Sequence, residues 1–116
     1  GPPEIDVAHW LFFDAFATTG CGVAPLPGWP DRDRVIATYE ALSGRVLRDV
    51  DLFETIEELF IATTLIRQAD ARVERGLAPE HTRMGHDNAV TQMLARRLGL
   101  PVPELSPDYV AHRGGT

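Results

Sequence analysis

The sequence predicts an all-α protein. Apolar residues recur at helical spacing in several segments, and capping residues, Gly and Pro bound these segments. No segment shows the strict alternation of a half-buried strand. We therefore predict four helices and treat residues 1–100 as one helical subdomain, with 101–116 as a Pro-rich tail that lies over the surface or frays. The helices are expected at 4–18, 32–43, 52–75 and 89–98.

The first predicted helix, 4–18, is apolar nearly all round, which is typical of a buried helix. Two apolar faces are expected, and Val7 and Leu11 are expected to point away from both. The faces are Ile5, Ala8, Phe12 and Phe16, and Trp10, Phe13 and Ala17. Glu4 and Asp6 lie in the first turn, where acids favour the helix dipole. Since a domain rarely begins with its central element, we expect a further segment upstream.

The second predicted helix, 32–43, follows a loop rich in Gly and Pro that is expected to be ordered, with Trp29 packing onto a helix. Asp31 is a suitable N-cap, and Gly44 a suitable end. Its predicted inward side chains are Val35, Ile36, Tyr39 and Leu42.

The third predicted helix, 52–75, begins with Asp51 as N-cap and Glu54 completing a pattern like a capping box. It ends at Gly76 and is expected to form the backbone of the core. The fourth, 89–98, lies between Asn88 and Gly99, with Val90, Met93, Leu94 and Leu98 inward. The stripe predicted to face inward on the third helix is Leu52, Phe53, Ile56, Leu59, Phe60, Thr63, Ile66 and Val73.

Charge and composition exclude several classes of function. The formal net charge is −6, and all 11 basic residues other than histidine are Arg, so a nucleic-acid partner is not expected. No apolar run approaches the ~20 residues that span a bilayer, and no membrane partner is expected. A single cysteine, Cys21, suits a reducing compartment, so a cytoplasmic location is predicted.

No metal site and no catalytic residue is predicted within this chain. None of the four histidines, His9, His81, His86 and His112, is paired with another at i, i+4 spacing. His81 and His86 share a loop with Asp87, which is weak support for a metal. Cys21 lies between two glycines without a His or carboxylate beside it in sequence, so a catalytic thiol is not expected.

Four segments together resemble the C-terminal helical part of the aminoglycoside/choline phosphotransferase-like kinases. The similarity is to the subgroup related to the kinase-like domain of some acyl-CoA dehydrogenases. The segments occur in the family's order and cover nearly the whole chain; they are Gly1–Phe13, Leu26–Arg45, the long third helix and Asn88–Leu98.

The resemblance implies roles for particular residues. Asp6 matches a family Asp that anchors the catalytic loop by accepting backbone N–H bonds; without that loop it is only a first-turn acid. The family's acceptor site lies among these helices, which makes Trp10, Asp14, Arg67 and Asp70 candidates for a substrate pocket. For Arg67 and Asp70 the alternative is a solvated flank of the third helix.

Two functions remain open. The first is a C-terminal subdomain of a phosphotransferase-like kinase, inactive alone because it has no lysine, no His-x-Asp catalytic loop and no Gly-rich loop. ATP and magnesium are then implied only for the full-length family protein, and no cofactor for this chain. Its partner would be the missing N-terminal kinase portion, or a second copy that forms a homodimer through helix 4–18. The alternative is a free-standing helical interaction module without catalysis.

Overall fold

The computed structural model describes residues 1–114, with the backbone alone for 112–114. No strand occurs among these residues, so the all-α prediction is confirmed. The chain contacts divide it into two compact units, Gly1–Glu57 and Glu58–Thr116, here called the first and second unit. The helices are α1 (Pro3–Ala15), followed by a π-helical turn (Phe16–Gly20), α2 (Arg32–Ser43), α3 (Val50–Glu74), α4 (Ala89–Leu98) and α5 (Pro107–Gly114).

The ends of α2 and α4 lie where the capping residues predict them. The Asp31 side chain accepts a hydrogen bond from the Arg34 N–H, and Gly44 ends α2 with φ of 71°. The Asn88 side chain accepts from two backbone N–H groups of the first turn of α4, and Gly99 ends that helix with φ of 68°. Caps are local chemistry, which explains why the sequence locates them.

The ends of α1 and α3 differ from the predicted bounds. Regular α-helix stops at Ala15, and one π-helical turn carries the chain to Gly20, where the Cys21 N–H donates to the Phe16 carbonyl at 2.9 Å. Helix α3 begins at Val50, so Asp51 lies in its first turn and is not its N-cap. The predicted capping box with Asp51 as N-cap is therefore wrong, and the Glu54 carboxylate accepts from Arg32 Nε at 2.9 Å.

Helix α5 lies within the segment predicted as a tail and was not predicted. The sequence does contain a start signal, since Pro107 is the first helical residue and the Ser106 hydroxyl accepts from the Tyr109 N–H at 3.3 Å. Asp108 in its first turn accepts from the backbone N–H groups of Met84 and Arg83 at 2.9 and 3.2 Å, which ties α5 to the preceding loop. Residues 115 and 116 of the predicted tail lie outside the described residues.

The buried side of α1 includes Ala8 and Phe12 of one predicted face, but also the two residues that were expected to point away. Val7 and Leu11 pack with Leu47 and Val50, and half-buried side chains of α2 close the cluster; these are Val35, Ile36 and Tyr39. Leu42 of α2 is 84% exposed, contrary to its predicted inward position. A helix apolar on every side therefore does not become buried on every side, because this unit supplies packing partners for one side only.

Helix α3 buries a different face from the predicted stripe. Its buried residues include Val50, Glu54, Glu58, Ala62 and Ala69, whereas Phe60 is 64% exposed. Leu52, Ile56 and Leu59 are exposed as well. Glu54 and Glu58 can be buried because each is paired with an Arg side chain. The alanines allow neighbouring segments to approach α3 closely, so the buried face is not the one with the largest apolar side chains.

The second unit has a core of small residues. Ala62, Ala69, Ala89 and Ala95 are buried together with Val90 and Met93, while Leu98, predicted inward, is exposed. Gly85 packs against α3 so closely that an added Cβ would contact the Ala69 Cβ and lie 2.8 Å from the Leu65 carbonyl oxygen. Small side chains here let the loop before α4 lie directly on α3.

Candidate functional site

Two of the four pocket candidates, Trp10 and Asp14, belong to one cluster on the first unit. The Trp10 ring stacks on Trp29 with centroids 6.1 Å apart and planes 14° apart. The Trp29 indole N–H donates to the Asp14 carboxylate at 2.8 Å. A turn places Trp29 there, since its N–H donates to the Leu26 carbonyl and Gly28 has φ of 79°.

This cluster confirms that Trp29 packs onto a helix, but its part in the candidate site was missed. The signal was present in the sequence as a Trp inside a Pro-Gly turn, a composition that holds a large side chain in place. The aromatic faces and the carboxylate are partly accessible, so the cluster offers apolar surface beside a negative charge.

Asp6 and Glu4 occupy different sides of the first turn of α1. Asp6 is exposed, and its carboxylate forms no hydrogen bond or ion pair with a residue that the structure describes. Glu4 is buried and accepts the Arg48 N–H at 2.9 Å. That backbone hydrogen bond, helped by the N–H of Glu4 itself and the charges of Arg45 and Arg48, lowers the pKa of Glu4. Within this chain, the acid that holds a loop is therefore Glu4, and the anchoring role of Asp6 stays a prediction.

The accessible side of α1 also carries a close His–Glu contact. His9 Nδ1 lies 2.5 Å from Glu57 Oε1, and the His9 ring packs edge-on against Phe13. Phe13 and Ile5 are 47% and 44% exposed. This side of α1, defined by Ile5, Asp6, His9 and Phe13, is called the open side below.

Arg67 and Asp70 do not share a pocket. Arg67 lines a groove of about 610 Å³ on α3, called the arginine groove below; its residues are Thr64, Arg67, Gln68, Ala71, Arg72 and Arg75. Asp70 lines a different groove together with His86, whose Nε2 lies 4.0 Å from Asp70 Oδ1. The Nδ1 atom of His86 is buried and has no hydrogen-bond partner in the part of the chain that is described.

Two buried carboxylates escaped the sequence analysis because their partners are distant in sequence. Arg32 bridges Asp51 and Glu54, with the shortest contact to Asp51 at 2.6 Å. Arg97 contacts both oxygens of Glu58, at 2.9 and 3.0 Å. Glu54 and Glu58 are buried and each is paired with an arginine of its own unit, so these two pairs are structural, whereas Asp51 is exposed.

The residues present do not fit a magnesium–nucleotide site. No group of three or more His, Cys, Asp or Glu residues in the described part of the chain could hold a metal ion. The sequence also has no lysine to hold phosphates. The side chain of His112 lies outside the described residues.

No helix within residues 1–114 is both long and apolar enough to cross a bilayer. No protein-family model matches the chain, and no solved structure matches it. The fold and the contacts above define an all-α protein with a Trp–Trp–Asp cluster on one unit and an arginine groove on the other.

Proposed function

We propose that this chain is the C-terminal, substrate-binding and scaffolding part of a phosphotransferase-like small-molecule kinase, and that it is inactive alone. The observation that carries the proposal is the open side of α1. There an unengaged carboxylate, Asp6, lies one turn or less from exposed apolar side chains. The resemblance to the kinase family gives this acid the loop-anchoring role.

The opposite side of α1 is fully used for packing, whereas the open side is not. Val7 and Leu11 are buried in the core, and Glu4 holds the backbone of Arg48. The Asp6 oxygens remain free to accept backbone N–H bonds, and such charge-assisted bonds are stronger than neutral ones. A catalytic loop laid along the open side would engage Asp6 and cover Ile5 and Phe13.

The Trp–Trp–Asp cluster supports the substrate-binding part of the proposal. Its stacked rings are held by the hydrogen bond to Asp14, so the cluster is organised before any ligand arrives. In this proposal Trp10 and Asp14 contact the acceptor substrate.

The first test asks whether the chain alone handles nucleotide. We expect no saturable ATP binding and no hydrolysis with magnesium, because the phosphate-holding and metal-holding groups are absent. Isothermal titration with labelled or unlabelled ATP measures this. Saturable binding at micromolar nucleotide contradicts the proposal.

The second test uses the gene and the protein it encodes. An upstream reading frame with a His-x-Asp-x-x-x-x-Asn loop is expected. In that longer protein, Asp6→Asn should lower kcat with little change in KM for the acceptor. Asp33→Asn, at an exposed acid of α2, is the matched control and should leave kcat unchanged. A reading frame without kinase motifs, or equal kcat in both variants, refutes the anchoring role.

A second candidate is a free-standing helical module that associates with its own copy through α1. The exposure of Ile5 and Phe13 favours it, because apolar side chains grouped on one helix side mark an interface. A cytoplasmic location belongs to both candidates and remains a prediction.

A further inference from the structure

We propose that the arginine groove on α3 binds an organic phosphate, with the phosphate held by Arg67, Arg72 and Arg75 and a short apolar group held by the adjoining surface. All of these residues belong to the second unit. Binding here does not depend on the chain being part of a kinase.

The three guanidinium groups lack internal partners. Arg67, Arg72 and Arg75 are exposed, and none forms an ion pair or side-chain hydrogen bond with a residue in the described part of the chain. By contrast, Arg32, Arg83 and Arg97 are paired with carboxylates. Among the arginines of this second unit whose side chains are described, four lack such a partner, and three of the four line this groove; Arg96 is the fourth.

Helix geometry brings the three side chains to one face. At ~100° per residue, positions 64, 67, 68, 71, 72 and 75 fall within a sector about 140° wide, with Arg67 and Arg72 at its two edges. Arg67 and Arg75 are eight residues apart, roughly 12 Å along the axis at ~1.5 Å per residue, with Arg72 between them. Long flexible Arg side chains can converge over that distance, and Gln68 adds an amide donor.

Two nearby acids of α3, Asp70 and Glu74, adjoin the Arg67 edge of this sector but form no ion pair with the three arginines. Both line the neighbouring groove with His86. The chain as a whole has a net charge of −6, which repels anions in general. An anion that binds here must be drawn by local charge and donor geometry.

A second concavity continues from the arginine groove and is mostly apolar. Gln68 and Arg72 belong to both, and the apolar side is formed by Leu65, Ala69 and Met84 with Gly85. Gly85 keeps this surface close to α3, because a side chain there would collide with Ala69. An apolar group attached to the anion therefore has a place beside Arg72.

The charge of the groove favours phosphate over carboxylate. Three guanidinium groups carry more positive charge than one carboxylate can neutralise. A phosphate monoester carries a charge of about −1.5 to −2 and has three acceptor oxygens. Arg matches phosphate oxygens with parallel N–H donors, which adds geometric selectivity.

Titration calorimetry of the intact chain with butyl phosphate, butyrate and inorganic phosphate tests the proposal. We expect butyl phosphate to bind most tightly, with affinity falling as salt rises. Arg72→Gln should weaken butyl phosphate by about tenfold or more, the usual effect of losing a charge-assisted hydrogen bond. Met84→Ala should weaken butyl phosphate but not inorganic phosphate.

Arg96→Gln is the matched control, since Arg96 is an exposed arginine of α4 outside both grooves. It should bind butyl phosphate like the wild type. Equal weakening by Arg96→Gln and Arg72→Gln would show nonspecific attraction and overturn the proposal. So would an absence of binding at millimolar ligand, or tighter binding of butyrate. Circular dichroism of each variant, all changed at accessible positions, verifies that the fold is retained.

Discussion

At the scale of single residues, Glu4 connects α1 to the segment before α3. Its carboxylate accepts the Arg48 N–H, while Glu40 of α2 accepts the Leu47 N–H at 2.8 Å. Two acids thus fix the backbone that delivers Leu47 to the core. Asp49, just beyond them, adopts a left-handed φ of 58°, which turns the chain into α3.

The Glu4 hydrogen bond predicts a pH dependence. Because the fold lowers the pKa of Glu4 below its ordinary 4.5, the ionised form stabilises the native state above that pH. This contribution is lost as the pH falls through the lower, folded-state pKa. We expect Glu4→Gln to lower the melting temperature at neutral pH and to reduce its dependence on pH in the acid range.

Thermal melts at several pH values check this expectation, with Glu104→Gln as the control at an exposed acid. The control should melt like the wild type at neutral pH. Identical melting curves for Glu4→Gln and Glu104→Gln would mean that the Arg48 N–H bond contributes nothing measurable.

The Glu58–Arg97 pair gives a second residue-scale prediction. The Glu58 side chain is only 4% exposed, so Arg97→Met leaves a buried carboxylate without its partner. That change should destabilise the protein by about 3–5 kcal/mol, whereas the double variant Glu58→Leu/Arg97→Met should recover most of the loss. Urea unfolding measures both, and Arg96→Met is the neutral control. A single variant as stable as the wild type would show that Glu58 is solvated.

At the scale of helices, the orientation of α3 about its axis follows from its partners more than from its own hydrophobicity. Val50, Glu54, Glu58 and Ala62 recur every four residues and form its buried face. Large apolar residues such as Leu52 and Phe60 lie outside that face. The helix gives up some apolar burial because Arg32 and Arg97 are positioned to satisfy its acids.

The same substitution on two helices tests this orientation. Phe12 of α1 is 3% exposed, so Phe12→Ala should cost about 3–5 kcal/mol of unfolding free energy. Phe60→Ala, at a residue 64% exposed, should change it by no more than about 0.5 kcal/mol. Denaturant melts provide both values, and Phe12→Leu serves if Phe12→Ala does not fold. A larger loss at Phe60 than at Phe12 contradicts the observed register.

At the scale of the whole molecule, the open side of α1 is the surface through which we expect one copy of the chain to contact another. Stacking of Trp29 on Trp10 covers part of α1, but Ile5 and Phe13 remain 44% and 47% exposed. If no other segment covers them, a second copy can do so through a twofold contact between two α1 helices.

We expect self-association of the isolated chain that Phe13→Asp weakens, because a charge in an apolar contact loses solvation without gaining a partner. Val23→Asp, at an exposed apolar residue of the loop, is the control and should leave association unchanged. Sedimentation equilibrium over a dilution series measures the masses. A single monomeric mass for the wild type at high micromolar concentration refutes the dimer.

Sequence alone determined the features that rest on local chemistry. The all-α class, the bounds of α2 and α4, and the end of α3 near Gly76 follow from caps, glycines and spacing within a few residues. The packing of Trp29 onto a helix also followed from its turn. Helix α5 was missed although Ser106-Pro107 is a local signal, because the many prolines of its segment were taken as evidence for a tail.

Only the tertiary structure decided which faces are buried and which site residues meet. Val7 and Leu11 became core because α2 and Leu47 lie on their side of α1, and Glu58 became buried because Arg97, far along the chain, pairs with it. Arg67 and Asp70, three residues apart, line two different grooves because the loop that carries His86 lies along the Asp70 side of α3. Such outcomes depend on contacts between distant segments, and helical periodicity describes one segment at a time.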